Sequence, residues 1–246
     1  MKKDKQMKLL ADFHVHSIAS GHAFNTVDEL ARTAGKKGLK YLAITDHGPA
    51  MPGGPHEYYF YNLKVLPEKM YGVKLLKGIE ANVISQEGKL DLENTYLKRM
   101  DVVIASFHAV VTPEKLSKAE NTQMLLKVLE NEHVDVLGHI ENPEFPVNIK
   151  EVVGAAKETG KIIEINNASF TVARKGSRDT CLEIIRELKA QDMIVMINSD
   201  AHISHLLGEV SVAWQVAREL GLKQQNVINF SKELTEKFVR QRRDKL

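Results

Sequence analysis

The stretch Leu9-Leu10-Ala11-Asp12-Phe13-His14-Val15-His16 is a short apolar run of strand length that closes on metal-capable side chains. Runs of the same kind recur at 41–45, 73–80, 102–107, 134–138, 162–166 and 194–198, which with 9–13 makes seven. Between them lie amphipathic segments of helical spacing at 26–37, 57–65, 121–131, 149–159 and 179–190, with one more, 210–220, after the last run. Strand-length runs alternating with longer amphipathic segments predict repeated βα units around a parallel sheet. Thr26 with Glu29 three residues on has the spacing of a capping box, and Gly38 and Gly160 stand where a helix ends on a left-handed residue. Gln86-Glu87-Gly88-Lys89, between Val83-Ile84 and Leu90-Asp91-Leu92, predicts a small hairpin after the third run.

Composition fits one α/β barrel. With 246 residues, 43% hydrophobic and 27% charged, a single domain spanning 1–246 can bury a full core, and no Ser/Gly/Pro-rich linker or internal repeat interrupts it. The net charge of +2, from 34 basic and 32 acidic residues, gives no global field to draw the chain to nucleic acid or an anionic membrane. Basic residues gather in 1–5 and 240–245, which read as a frayed terminus and a solvated helix face. No run approaches the ~18 apolar residues of a spanning helix, and the N-terminal stretch turns polar too soon for a signal peptide. Cys181 is the sole cysteine, so there is no intrachain disulfide, and a cytoplasmic location is the default expectation.

Placed on this map, the metal-capable residues fall at run ends. His14 and His16 close the first, His47 the second, Glu80 the third, while His108 follows the fourth, His139 the fifth, and Asp200 with His202 the last. In a closed parallel barrel the C-terminal strand ends converge on one face, so these residues would meet. His14 and His16, spaced i, i+2 on extended chain, point to one side, and Asp200-Ala201-His202 repeats that spacing. A single histidine at a strand end is usually an ordinary polar residue; the joint pattern is hard to reconcile with scattered ones. His22, on a glycine-containing loop, either joins the set or is a solvated loop histidine. Asp46 either orients a ligand by accepting its ring N–H or caps a turn. His56, His133 and His205 fall outside the pattern.

Imidazoles and carboxylates together favour zinc, manganese or iron over magnesium or calcium. Such ions, when clustered, convert water to a nucleophile near neutrality and clamp the oxygens of an in-line phosphoryl displacement, so no protein nucleophile is required. The loop after the sixth run carries Arg174 and Lys175, adjacent cations that either grip a substrate phosphate or lie in solvent. Residues 48–55, rich in glycine and proline, form either a rim beside the site or a plain connector.

The strings Asp12-Phe13-His14-Val15-His16-Ser17, Thr45-Asp46-His47-Gly48, Gly78-Ile79-Glu80-Ala81-Asn82, Ser106-Phe107-His108, Gly138-His139 and Ser199-Asp200-Ala201-His202 resemble the PHP (polymerase and histidinol phosphatase) superfamily. With Arg174-Lys175-Gly176-Ser177 they are most similar to its YcdX-type phosphatase branch, over roughly 9–209. The resemblance implies a distorted seven-stranded (β/α) barrel and three divalent metal ions, usually zinc, with manganese or iron able to substitute. By motif it implies His14, His16, Glu80 and Asp200 on the first ion, His22, His47 and His202 on the second, and Glu80, His108 and His139 on the third, with Glu80 bridging. Many members carry Asp where this chain has His22, and the histidine leans toward the phosphatase branch. His14, His16, Glu80, Asp200 and His202 would be the catalytic core, a small phosphorylated metabolite the partner, and a homo-oligomer such as a trimer occurs in some members.

Three rivals stand beside the monoesterase. A PHP-type phosphodiesterase or exonuclease would want a basic face that the sequence does not show. An amidohydrolase also begins with His-x-His but rarely ends on Asp-x-His. A silent metal-binding module has no need of all nine candidate ligands.

Overall fold

The computed structural model describes residues 8–113 and 116–243, the last two as backbone. The basic run 1–5 lies outside the described residues, as do 244 and 245. Seven parallel strands form a nearly closed barrel in the order β1 (Ala11–Asp12), β2 (Tyr41–Ile44), β4 (Val73–Asn82), β5 (Val102–Ser106), β6 (Val136–Leu137), β7 (Ile162–Asn166) and β8 (Val195–Asn198). A two-residue strand, β3 (Lys69–Met70), pairs antiparallel with the start of β4. Each predicted run coincides with one of the seven: β7 matches its run, β4 extends two residues beyond its run to Asn82, and the others are shortened at their ends. β5 is buried along its whole length, as a strand covered on both faces must be, which is why such strands read as unbroken apolar runs.

The helices are α1 (Val27–Lys37), α2 (Glu57–Asn62), α3 (Asn94–Leu97), α4 (Lys118–Glu130), α5 (Ile149–Thr159), α6 (Arg178–Ala190), α7 (Ser211–Glu219) and α8 (Lys232–Arg243). The capping box at Thr26 forms: Thr26 Oγ1 accepts from Glu29 N, and the Glu29 carboxylate accepts from Thr26 N. Gly38 and Gly160 end α1 and α5 with φ of 80° and 69°. Helix α5 buries Ile149, Val152, Val153 and Ala156, an i, i+3, i+4, i+7 stripe facing the barrel wall. The expected hairpin is present as an antiparallel bridge between Val83 and Leu90.

Inside the barrel, period two along each strand sorts the side chains into layers. On β4 the inward column runs Leu76, Gly78, Glu80. The lower layer is apolar, with Ala43, Leu76, Ile104, Val136 and Met196 in one cluster. Helix α8 closes that lower end, its Phe238 ring meeting Phe13 edge-on at 5.4 Å. The upper layer is polar and carries the candidate ligands.

Closure between β1 and β8 uses side chains where a ladder would otherwise run. Beyond the single bridge Val15–Ala201, Asn198 Oδ1 accepts from Phe13 N at 3.1 Å, and Asp12 accepts from both Ser199 N and Ser199 Oγ. Asn229, on the turn before α8, completes the seam: Oδ1 accepts from Ile197 N at 2.9 Å, and Nδ2 donates to Ala11 O at 3.0 Å. This polar seam holds the first and last strands together, and both deliver candidate ligands. Among the described residues no helix is long and apolar enough to cross a membrane.

Candidate metal centre

All nine predicted ligands lie at the C-terminal strand ends, around a cavity of about 400 Å³ whose lining includes His22, His47, Glu80, His108, His139, Asp200 and His202. Glu80 stands at the centre. Its Oε2 lies 3.3 Å from His14 Nε2, 3.5 Å from His16 Nε2 and 2.8 Å from His47 Nδ1; its Oε1 lies 2.8 Å from His139 Nε2 and 3.3 Å from His108 Nε2. Asp200 Oδ1 faces the same pair of rings, at 3.6 Å from His14 and 3.3 Å from His16. His22 sits at the exposed edge, its Nε2 3.1 Å from His202 Nε2.

His14 Nε2, His16 Nε2, His47 Nδ1 and Glu80 Oε2 are buried and lack a hydrogen-bond partner. Such orphans are rare in a core unless something else satisfies them. Donors arranged tetrahedrally at zinc-type distances of 2.0–2.1 Å are about 3.3–3.5 Å apart. Four of the six separations among His14, His16, Glu80 and Asp200, at 3.3 to 3.6 Å, lie close to that spacing. Three donor triads each converge closely enough for one ion: His14, His16 and Asp200; His47, Glu80 and His108; His16, His47 and His202. The residues present therefore fit divalent cations.

Outer contacts fix which ring nitrogen faces the cluster. His14 Nδ1 donates to Glu164 Oε1 at 2.8 Å, so its Nε2 lone pair points inward. Ser20 Oγ donates to Asp46 Oδ1 at 2.7 Å, so it must accept from His16 Nδ1 at 3.1 Å, which leaves the His16 Nε2 lone pair inward too. Asp46 thus acts on a ligand through Ser20, and it neither accepts a ring N–H nor caps the turn that follows it. It also accepts from Ser17 N, Ser17 Oγ and Tyr59 OH, pinning the loop after β1.

Electrostatics tell the same story. Burial alone would depress His14, but Glu164, Glu80 and Asp200 outweigh it and hold the ring well above its ordinary value. Three carboxylates around one buried ring favour positive charge at this point. Burial, with His202 and His47 adding to it, pushes His16 well down, and burial with Arg174 pushes His139 to about 4, so both present neutral imidazole. Burial would raise Glu80 and Asp200, yet the surrounding imidazoles, joined at Asp200 by Arg174, hold both well below the usual range. Ionised carboxylates and neutral imidazoles are the forms that bind metal.

Backbone strain collects here. Of the five non-glycine residues with positive φ among the described residues, His139 (29°), Arg174 (49°) and Asp200 (55°) border the cavity. Such conformations are held only where the surroundings over-determine them.

Arg174 lines the cavity, with Nη2 donating to Asp200 Oδ2 at 2.9 Å and Nε to Ser169 Oγ at 2.6 Å. Ser169 Oγ in turn donates to Glu141, whose carboxyl burial raises to about 7 against the pull of Arg174. Lys175 is exposed and is not brought to the cavity lining. Residues 48–55 do form a rim, with Met51 and Pro52 at the cavity. That rim is held by Asp91, which accepts from Ala50 N at 2.9 Å. His56 caps α2 by accepting from Tyr58 N, His133 is half-buried beyond α4, and His205 is exposed in a 3-10 turn.

The sequence reading missed Glu164 and Glu141. The signal for Glu164 was a lone charge inside the apolar run Ile163-Glu164-Ile165, where an inward carboxylate needs a partner. Glu141, two residues past His139, had no comparable local mark.

Comparison with known proteins gives a consistent result. The PHP domain family matches residues 12–175. A probable phosphatase of Caldanaerobacter subterraneus subsp. tengcongensis is 44% identical over 100% of this chain and 97% of its own length. One from Acetivibrio thermocellus is 45% identical over 98% of this chain and 99% of its own. Among solved structures, histidinol phosphate phosphatase from Lactococcus lactis, complexed with zinc, L-histidinol and phosphate, superposes with a TM-score of 0.58 at 16% identity, covering 88% of this chain and 95% of that one. At that identity the likeness concerns the fold.

Proposed function

The chain belongs to the PHP domain family and is a hydrolase of phosphate esters, and from that premise we propose that it cleaves a small phosphate monoester at a three-ion metal centre. The observation that carries this reading is the convergence of orphaned donors on Glu80 at the cavity floor. We assign His14, His16, Glu80 and Asp200 to one ion, His22, His47 and His202 to a second, and Glu80, His108 and His139 to a third. The donor set favours zinc, with manganese or iron as substitutes. The spatial triads support the assignment unevenly: one groups His16 with His47 and His202, and His22 and His139 belong to none of the three. Bound ions would supply a water-derived nucleophile and positive charge for the phosphoryl oxygens.

The chain's own residues do the rest. Glu164 and Ser20 hold His14 and His16 in the ligating tautomer. Arg174, kept at the cavity edge by Ser169 and Asp200, presents a fixed cation beside the site of phosphate binding. The rim at Met51 and Pro52 limits water and bulk on one side. The whole chain, 1–246, serves as one PHP unit with a cytoplasmic small-molecule substrate.

The test is reconstitution: strip the purified protein with chelator, add zinc, manganese or iron, and follow phosphate release from monoesters, a phosphodiester and short DNA. Monoester turnover rising with about three bound ions supports the reading. Cleavage of the diester or DNA alone turns the assignment to a phosphodiesterase, and failure to bind metal refutes it.

A further inference from the structure

On the phosphatase reading, we propose that the alcohol carried by the substrate phosphate is uncharged and apolar, and that it seats against Met51, Pro52, Ala109 and Val110. Apart from the ligands and Arg174, these four residues complete the lining of the cavity. The lining holds no hydroxyl and no side-chain amide. Its acids are Glu80 and Asp200, both already facing imidazoles. A polyol seated against these four side chains would find no side-chain partner for its hydroxyls there, which disfavours it relative to an apolar group. An ammonium group would find no free carboxylate.

The apolar wall is also built to stay in place. Met51 is buried, and its turn is closed by Met51 N donating to Gly48 O and Gly54 N to Met51 O. A Cβ at Gly48 would stand 2.2 Å from Asp91 Oδ1, the residue that anchors this rim. On the other side, Val111 N and Thr112 N donate to His108 O while Thr112 Oγ1 accepts from His108 N, so Ala109 and Val110 sit on a closed turn. A preformed wall loses little on binding.

A second observation agrees. Val110, part of this lining, is also one of the large hydrophobic side chains exposed among the described residues, so the apolar wall is open to an incoming group.

The experiment uses non-hydrolysable phosphonates on the metal-loaded protein, read by calorimetry and by inhibition of monoester hydrolysis. Affinity should rise from methyl- to butylphosphonate, by up to about fourfold per methylene. Butylphosphonate should bind at least tenfold more tightly than its isostere 3-aminopropylphosphonate, and Val110→Asp should reverse that order. Equal affinities across the series, or tighter binding of the aminopropyl compound by the parent, overturn the proposal while leaving the phosphatase reading intact if monoesters still turn over. A metal-loaded protein that hydrolyses no monoester removes the phosphatase reading, and this inference with it.

Discussion

Replacing Glu164 by glutamine changes no volume but breaks the hydrogen-bond arithmetic beneath the metal centre. Four donors converge on this carboxylate: His14 Nδ1 at 2.8 Å and Asn198 Nδ2 at 2.9 Å on Oε1, His139 N at 3.1 Å and Asn166 Nδ2 at 3.0 Å on Oε2. An amide offers one oxygen, so two donors must then face an NH2 group. With the NH2 toward His139 N, a buried backbone N–H loses its partner, at about 1–3 kcal/mol. With the NH2 toward His14, the ring escapes the clash by moving its proton to Nε2, the atom that faces Glu80 and Asp200. Either arrangement weakens the ligand set. Losses of an outer partner of this kind run to about 10–100-fold in metal affinity, or about 1.4–2.7 kcal/mol. Competition with a chromophoric chelator measures the affinity, and circular dichroism of the metal-free protein checks the fold. A folded Glu164→Gln variant binding metal within twofold of the parent would refute the tautomer argument.

Glu80→Gln should abolish activity and lower metal content together, since five imidazole nitrogens face its two oxygens; full activity with unchanged metal would sink the cluster. Gly21→Ala should disturb the His22 loop, because a Cβ there would lie 2.4 Å from Gly53 O and φ is +83°; we expect a loss of about 1–3 kcal/mol in stability and reduced turnover, read by thermal unfolding and steady-state kinetics. Burial raises the Cys181 thiol from 9.0 to about 12, so at pH 8 the native thiol should react with a disulfide reagent orders of magnitude more slowly than the unfolded one. The folded state holds that proton and the unfolded chain releases it above pH 9, so this group subtracts stability as pH climbs from 9 toward 12; native labelling as fast as unfolded would contradict the burial.

The barrel was legible because strands covered on both faces, as β5 is, read as apolar runs, and because helices such as α5 carry a clean stripe between a strand and a left-handed glycine. Helix α8 escaped. Its sequence Lys-Glu-Leu-Thr-Glu-Lys-Phe-Val-Arg-Gln-Arg-Arg is mostly charged, and the stripe of Leu234, Phe238 and Val239 acquires meaning only beneath an open barrel end. β3 and α3, at two and four residues, are too short for any periodicity to register. The convergence of the candidate residues was legible by position, since strand ends are visible in sequence. Their supports were not: Asp46 reaches His16 through a serine on another loop, a three-body contact that no spacing encodes.

The seam between β1 and β8 also sets a timetable. Its hydrogen bonds join residues 185 and 187 positions apart, and on either side stand His14 and His16, Asp200 and His202. At roughly 5–20 residues per second of synthesis, the first half of the ligand set waits about 10–40 s for the second. An ion caught early by His14, His16, His47 and Glu80 has neither Asp200 nor the Asn229 clasp, so it stays exchangeable. If the site holds metal as proposed, secure capture would therefore be one of the last events in the birth of the molecule, and a tightly held ion would require a chain made through to its closing strand.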